Sequence, residues 1–385
     1  MNPMLLCCFA LVLLYPLGVD LYLIAVPDIS ADLGASSAQL HYAFSLYLAG
    51  MASTMILGGI LADRLGRRPV ALWGAALFLI ASLLAMMSDT TLQFLLARFG
   101  QGVGAGFAYV TCFAVMRDTL DDGKRTRIMS MINGIICILP VTAPVLGHFI
   151  LLHHPWRVLF LLMATLATTI FLLCLKRLPE TRPGQQITPS SPRQLFGHPL
   201  FVSRLIIGTL ATAVILSFVE NSPLILITEL GISKGEYSLV MSSTALISMT
   251  SAFMTPKLLR LWGESRVLSL AQGMFLVAGV LLAAPHNALS LYLGFAAICS
   301  GFSMGFGIAT SQALSPCRES AGLASSVLGV SQVAGSACYI WVMGLIGTPP
   351  MVNLLAILFV AGVINLILIH RTRSATHLEL SRDTA

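Results

Sequence analysis

Residues 59–68 read Gly-Ile-Leu-Ala-Asp-Arg-Leu-Gly-Arg-Arg and join two long apolar runs. Charged side chains are costly in hydrocarbon, so this stretch must meet water at a membrane surface. Gly59 and Gly66 allow close backbone approach and a tight reversal of the chain. A basic turn between two apolar runs is typical of a short cytoplasmic loop in a polytopic membrane protein. The charged residues of the turn are Asp63, Arg64, Arg67 and Arg68.

The composition also indicates a membrane protein. Hydrophobic residues make up 57% of the 385 residues and charged residues only 10%, whereas about 25% of the residues in a soluble domain are charged. The length suffices for about a dozen helical spans of roughly 20 residues each. The net charge of +6 is then attributed to the orientation of the loops, and nucleic acid is not expected as a partner.

Twelve apolar segments follow one another along the chain, and each is predicted to be a helix because lipid offers no partner for an open backbone. They cover residues 4–27, 40–62, 69–88, 91–117, 127–152, 156–176, 200–228, 237–257, 266–284, 287–312, 319–344 and 349–370. The predicted fold is an all-α membrane protein with twelve transmembrane helices in two pseudo-symmetric six-helix bundles. The predicted parts are bundles at 1–176 and 200–370, a cytoplasmic linker at 177–199 and a cytoplasmic tail at 371–385.

The distribution of basic residues predicts the orientation. If both termini are cytoplasmic, all Lys and Arg residues lie on that side except Arg157 and Lys234, which fall outside, and Arg98, which lies within a span. Such a bias follows the positive-inside rule. The sequence therefore predicts a multi-pass protein with both termini in the cytoplasm.

The two halves look like repeats of one another. Gly66 before Arg67 matches Gly263 before Glu264, and Asp20 in the first segment matches Glu220 in the seventh. Repeated halves of this kind are typical of secondary transporters, which bind substrate near the middle of the membrane.

Three motifs carry a resemblance to a known family. Gly59-x-Leu61-Ala62-Asp63-Arg64-x-Gly66-Arg67-Arg68 resembles the signature that joins helices two and three in the Major Facilitator Superfamily. Arg98-x-x-Gln101-Gly102-x-Gly104-Ala105 resembles the helix-four motif of its drug–proton antiporters. Pro140-x-x-Ala143-Pro144-x-x-Gly147 is similar to their helix-five motif, although Ala143 and His148 stand where that motif usually has glycine.

Two shorter matches narrow the resemblance. Asp20-x-Tyr22 and the pair Arg117-Asp118 are similar to the Bcr/CflA group of drug–proton antiporters. This resemblance implies efflux of small lipophilic or cationic drugs in exchange for protons across a bacterial inner membrane. It also implies a monomer within the lipid bilayer that uses the proton gradient as its energy source and needs no cofactor.

The acids within the spans are the predicted coupling residues. Asp20 and Glu220 are the only acidic residues well inside the apolar segments, and such residues usually face a bundle interior or a watery cavity. Arg98 is placed at a similar depth, so we expect it to hold Asp20 partly ionised. The alternatives are a buried ion pair that only positions helices and, for Glu220, a place at the outer mouth.

The basic turn is predicted to act as a gate. Asp118 is expected to pair with Arg64 or Arg67, and Asp63 with the arginines of its own turn, in contacts that hold one state and break in the other. The alternative is a solvated loop that only sets the topology.

Other residues are proposed with weaker support. Pro140 and Pro144 are expected to kink helix five, and Gly147 to allow close packing, although an ordinary kinked packing helix has the same features. Residues that could line the pathway, or simply pack, are Tyr22, His41, Tyr47, Met55, Gln101, Tyr109, Asn133 and Asn221.

Other functional classes remain to be weighed. Export of a metabolite such as a sugar or an amino acid stays open. An enzyme would need a motif such as His-Glu-x-x-His or a nucleophile with its base, and an ATP-driven pump would need a phosphate loop; neither is found. The eight cysteines contain no Cys-x-x-Cys, so no metal site is predicted.

Overall fold

The computed structural model describes residues 3–120, 139, 142–181, 195–284, 288–316 and 321–383. All regular elements in these ranges are helical, and 11 helical segments are long and apolar enough to cross a membrane. The helices of the first half are α1 (Pro3–Asp20), α2 (Val26–Leu33), α3 (Ser37–Leu65), α4 (Arg67–Met86), α5 (Thr91–Thr119), α6 (Thr142–Leu151) and α7 (Arg157–Arg177). Those of the second half are α8 (Pro199–Pro223), α9 (Lys234–Trp262), α10 (Glu264–Ala283), α11 (Ala288–Leu314), α12 (Ala321–Ile346) and α13 (Pro350–Asp383).

Two predicted segments are not the single α-helices that were expected. The segment 4–27 is interrupted, because α1 ends at Asp20 and a 3₁₀ turn at Leu23–Ala25 leads into α2. Pro27 lies in the first turn of α2, where its missing N–H costs nothing. The segment 200–228 changes at Pro223 from α8 into a π-helix at Leu224–Glu229. Of the segment 127–152, the structure describes Leu139 and residues from Thr142 onward.

Single glycines make the two sharp reversals that the sequence predicted as repeats. Gly66 joins α3 to α4 with a φ of 109°, and Gly263 joins α9 to α10 with a φ of 76°. Other residues rarely adopt these angles. The flanking helices correspond in length, since α3 and α9 each have 29 residues and α4 and α10 each have 20.

The chain forms two compact units. The first comprises residues 1–187, 222–242 and 337–347, and the second comprises 188–221, 243–336 and 348–385. In the first unit α4 and α5 cross closely at Gly104, where an added Cβ would lie 2.5 Å from the backbone nitrogen of Phe78. The second unit repeats this crossing at Gly301, where a Cβ would lie 2.6 Å from the carbonyl oxygen of Ala271.

Cysteine side chains serve packing in the described part of the chain. Its six cysteines are free thiols, and five of them are buried. The exception is Cys338 on α12, which is exposed.

Candidate functional site

The first helix of each half is interrupted close to its buried acid. Asp20 is the last residue of α1, and Glu220 lies just before Pro223 at the end of α8. Their exposed fractions are 7% and 5%. Neither side chain is therefore turned outward, and each lies where a regular helix gives way to another backbone conformation.

Arg98 binds the end of the interrupted helix. Its guanidinium donates a hydrogen bond to the carbonyl oxygen of Gly18 at 2.9 Å, one of the last carbonyls of α1, which lack partners further along the helix. The guanidinium carbon also lies 4.1 Å from the ring centre of Tyr22 and 4.5 Å from that of Tyr47. A buried cation at a helix C-terminus and over two aromatic faces is stabilised by the helix dipole and by cation–π attraction.

The expected ion pair between Arg98 and Asp20 is not seen. Both residues lie in the described part of the chain, and there Arg98 bonds to Gly18 and to Gln101. The expectation placed the two side chains at one depth by counting along continuous helices. Because α1 ends at Asp20, a backbone carbonyl takes the position that the carboxylate was expected to occupy.

A chain of polar side chains fixes Arg98 from α5 and α4. The Gln101 side chain accepts a hydrogen bond from Arg98 at 2.6 Å and donates one to Ser82 at 2.8 Å. The Tyr47 hydroxyl donates to the carbonyl oxygen of Tyr15 at 2.9 Å. These groups hold the guanidinium in one place beneath the break in α1.

Glu220 has an amide group as a close neighbour. The side-chain nitrogen of Asn221 donates to the Glu220 carboxylate at 2.9 Å and to the carbonyl oxygen of Ser217 at 2.8 Å. One residue further on, the Ser222 hydroxyl lies 3.3 Å from that of Tyr237. Neutral polar groups of Asn221, Ser222 and Tyr237 thus lie close to the acid of the second half.

The remaining residues predicted to line the pathway are mostly buried. Tyr109 is half-buried and meets Tyr15 edge-on, with ring centres 5.8 Å apart. Asn133 lies outside the described residues. Burial does not distinguish a residue that lines a transport pathway from one that only packs between helices. The role of these residues therefore stays a prediction. The fully or nearly buried members are Tyr22, His41, Tyr47, Met55, Gln101 and Asn221.

The basic turn forms the predicted contacts around Arg67. This side chain is fully buried, and its guanidinium pairs with Asp63 at 2.6 Å and with Asp118 at 2.8 Å. Of the two partners considered for Asp118, the structure selects Arg67, whereas Arg64 is exposed. Two carboxylates around one buried guanidinium offset the cost of burying its charge.

A carboxylate that sequence reasoning missed closes the turn. Glu180 accepts hydrogen bonds from the backbone nitrogens of Arg67 at 2.7 Å and Arg68 at 3.2 Å. It therefore caps the N-terminus of α4, where a negative charge is stabilised. An added Cβ at Gly66 would lie 2.7 Å from the Glu180 carboxylate carbon, so the glycine makes room for the cap. No spacing rule in the sequence connects Glu180 with this turn.

The surroundings of three further motif residues, Gly59, Gly147 and Pro144, are also described. A Cβ at Gly59 would meet only Val110 at 3.8 Å, an ordinary contact, so the close approach expected there is not required. A Cβ at Gly147 would lie 2.7 Å from Ile24, which places this glycine of α6 against the turn that follows α1. Pro144 is buried, and Pro140 lies outside the described residues.

No group of three or more metal-ligating side chains occurs in the part of the chain that the structure describes.

The comparison with known protein families decides the family of this chain. A model of the Major Facilitator Superfamily matches residues 8–343. The chain belongs to the Major Facilitator Superfamily.

Known members of the superfamily resemble the chain over nearly its whole length. Multidrug resistance protein MdtL of Escherichia coli O127:H6 is 49% identical over 373 residues, which cover 96% of this chain and 95% of that protein. Multidrug resistance protein MdtL of Escherichia fergusonii is 48% identical over the same shares. The predicted family and the all-α fold are thereby confirmed.

Solved structures support the fold alone. The crystal structure of a D-xylose-proton symporter has a TM-score of 0.75 at 17% identity, covering 95% of this chain and 96% of its own. A bacterial homolog to the human lysosomal transporter Spinster, in an inward-facing and occupied conformation, has a TM-score of 0.71 at 16% identity, covering 94% and 96%.

Proposed function

We propose that the chain is a multidrug efflux transporter that exchanges small lipophilic or cationic drugs for protons by alternating access. The observation that carries this proposal is one buried carboxylate beside a helix break in the first helix of each half, at Asp20 and Glu220. Intramembrane carboxylates are expensive and mark ion or substrate pathways. Relatives at 49% identity that are named multidrug resistance proteins support the choice of cargo.

The chemistry of exchange follows from competition for these carboxylates. A deprotonated carboxylate attracts a drug cation, and a protonated one does not, so proton uptake favours release of the drug. Arg98, held by Gly18 and Gln101, keeps a fixed positive charge at the end of α1. The charge is held at Gly18, two residues before Asp20. There it limits how many further cations the site accepts. Arg67 with Asp63 and Asp118 is proposed as the gate at the other end of the helices.

The membrane location and the orientation of the chain are proposed from the distribution of its basic residues. The positive-inside bias supports a bacterial inner membrane protein with both termini cytoplasmic. The proposed transporter is a monomer, not an enzyme, with the proton gradient as its energy source and no cofactor. The six-helix bundles at 1–176 and 200–370 remain the proposed division of the chain.

Everted membrane vesicles test the coupling. Addition of ethidium to acidified vesicles should release protons, and Asp20→Asn or Glu220→Gln should slow the proton-coupled ethidium flux about tenfold or more, which corresponds to ~1.4 kcal/mol. Asp89→Asn is the matched control, because Asp89 is an exposed acid outside the proposed site. Unchanged coupling in the double variant would refute the mechanism. Proton release by sugars or amino acids, without any by ethidium, would favour a metabolite exporter instead.

A further inference from the structure

The second half contains a cavity that reaches Glu264, the first residue of α10. A cavity of about 320 Å³ lies in the second unit between α9, α11 and the start of α10. This volume is at the lower end of the range of ligand pockets, roughly 300–1,000 Å³. Its lining includes Thr255, Leu259, Glu264, Ser303, Gly307 and Ser311.

The seam between α9 and α11 is held by hydroxyl groups. Ser248 hydrogen-bonds to Ser303, and the Ser251 hydroxyl donates to Ser300 at 3.0 Å. In the first half the corresponding seam, between α3 and α5, is closed by glycine. A methyl group at Gly102 would overlap the carbonyl oxygen of Tyr47, so these two backbones touch.

The residue that begins the helix after each glycine turn differs between the two halves. Gly66 and Gly263 are equivalent, so the residue after each begins the next helix in the same way. In the first half that residue is Arg67, buried between Asp63 and Asp118. In the second half it is Glu264, which is exposed and lines the cavity.

The chemistry of the lining selects a cation with an apolar body. Glu264 accepts a hydrogen bond from Gln312 at 2.7 Å through one carboxylate oxygen. The same Gln312 side chain accepts a hydrogen bond from the buried Arg204 at 2.6 Å, so Arg204 lies behind Glu264 while the exposed carboxylate still lines the cavity. Hydroxyl groups supply further acceptors, whereas Leu259, Met304 and Ile308 supply an apolar wall. A carboxylate beside such a wall complements an organic cation.

We propose that this cavity is a second binding site for organic cations with an apolar body, separate from Asp20 and entered from the end of the helices at Gly263. The proposal rests on the proposed function for its substrate class. It assigns Glu264 to recognition of the positive charge, and the wall of α9 and α11 to the apolar body.

Equilibrium binding to the purified full-length protein in phosphatidylcholine nanodiscs tests the site. The probe is tetraphenylphosphonium, and tetraphenylborate serves as an anion with the same apolar body. Gly307→Leu places a side chain in the cavity, and an added Cβ there meets nothing within 4 Å, so the side chain starts without a clash. Gly273→Leu on α10 is the matched control, because its Cβ also meets nothing within 4 Å and Gly273 does not line the cavity.

We expect Gly307→Leu to weaken tetraphenylphosphonium binding at this site about tenfold, Glu264→Gln about fivefold and Gly273→Leu less than about twofold. Tetraphenylborate should bind weakly to the wild type and more tightly to Glu264→Gln. Equal tetraphenylphosphonium binding in all variants would overturn the proposal. If tetraphenylphosphonium and tetraphenylborate bind equally, and Gly307→Leu is the one variant that binds less phospholipid, an acyl chain fills the cavity instead.

The vesicle assay separates this proposal from the proposed function. If efflux is proton-coupled and depends on Asp20, but probe binding is the same in Gly307→Leu and Glu264→Gln as in the wild type, only the second site is refuted. Probe binding that depends on Gly307, without proton-coupled efflux, refutes the proposed function and leaves the second site standing.

Discussion

The turn after α3 and the turn after α9 share a backbone but differ in how they are filled. In the first, Arg67 is buried between two carboxylates and Glu180 caps the next helix. In the second turn, Glu264 is the first residue of α10. Its own side chain supplies the negative charge that favours a helix N-terminus. A repeated backbone therefore does not repeat its chemistry: one turn is locked by charge and the other opens onto a cavity.

The largest effect is expected from breaking the locked turn. Arg67→Met removes the guanidinium that pairs with the buried Asp118 carboxylate, and breaking a buried ion pair should cost about 3–5 kcal/mol of stability. The thermal unfolding midpoint of the purified protein measures the loss. Glu264→Met, at the equivalent exposed position, should lower the midpoint far less.

A double variant shows whether charge is the cause. Arg67→Met with Asp118→Asn also removes the buried negative charge and should recover part of the lost stability, without restoring efflux. Equal midpoints for Arg67→Met and Glu264→Met would show that the two turns do not differ as described.

An intermediate effect is expected at the seams between helices. Gly102→Ala forces a methyl group against the carbonyl of Tyr47, and such overpacking typically costs about 1–3 kcal/mol. Gly307→Ala at the open seam should leave the unfolding midpoint unchanged or slightly raised, because it removes a flexible residue from a helix without a clash. A similar loss in both variants would mean that both seams are equally tight.

The smallest effect is expected at the cap of α4. Glu180→Gln keeps an acceptor for only one of the Arg67 and Arg68 amides and removes the charge, at a cost of about 0.3–1 kcal/mol. Hydrogen exchange in the first turn of α4 should accelerate by up to about fivefold, while the first turn of α10 exchanges as before. Unchanged exchange in α4 would show that Glu180 contributes little beyond its position.

The apolar helices were predictable from sequence because they depend on properties that are local. Apolar runs must be helical in lipid, and the short turns between them contain the charged residues Asp63, Arg67 and Asp118. A pairing of Asp118 with Arg64 or Arg67 was expected for this reason, as was the burial of Asp20 and Glu220.

The details around the acids were not predictable in the same way. Hydropathy does not distinguish an α-helix from the 3₁₀ turn at Leu23–Ala25 or the π-helix at Leu224–Glu229, and only Pro27 and Pro223 hinted at the breaks. Arg98 was given the wrong partner because the free carbonyl of Gly18 exists only where α1 ends. The cavity beside Gly307 depends on helix spacing, which side-chain patterns do not record.

The exposed thiol of Cys338 lies within the apolar span of α12, so in a bilayer it faces lipid and is open to a lipid-soluble fluorescent maleimide. Five other described cysteines are buried and therefore protected from maleimide reagents. Replacing Cys137 and Cys317, which lie outside the described residues, with serine would leave one reactive sulfur on α12. A dye attached there would report the movement of that helix during transport, without the need for a fully cysteine-free background.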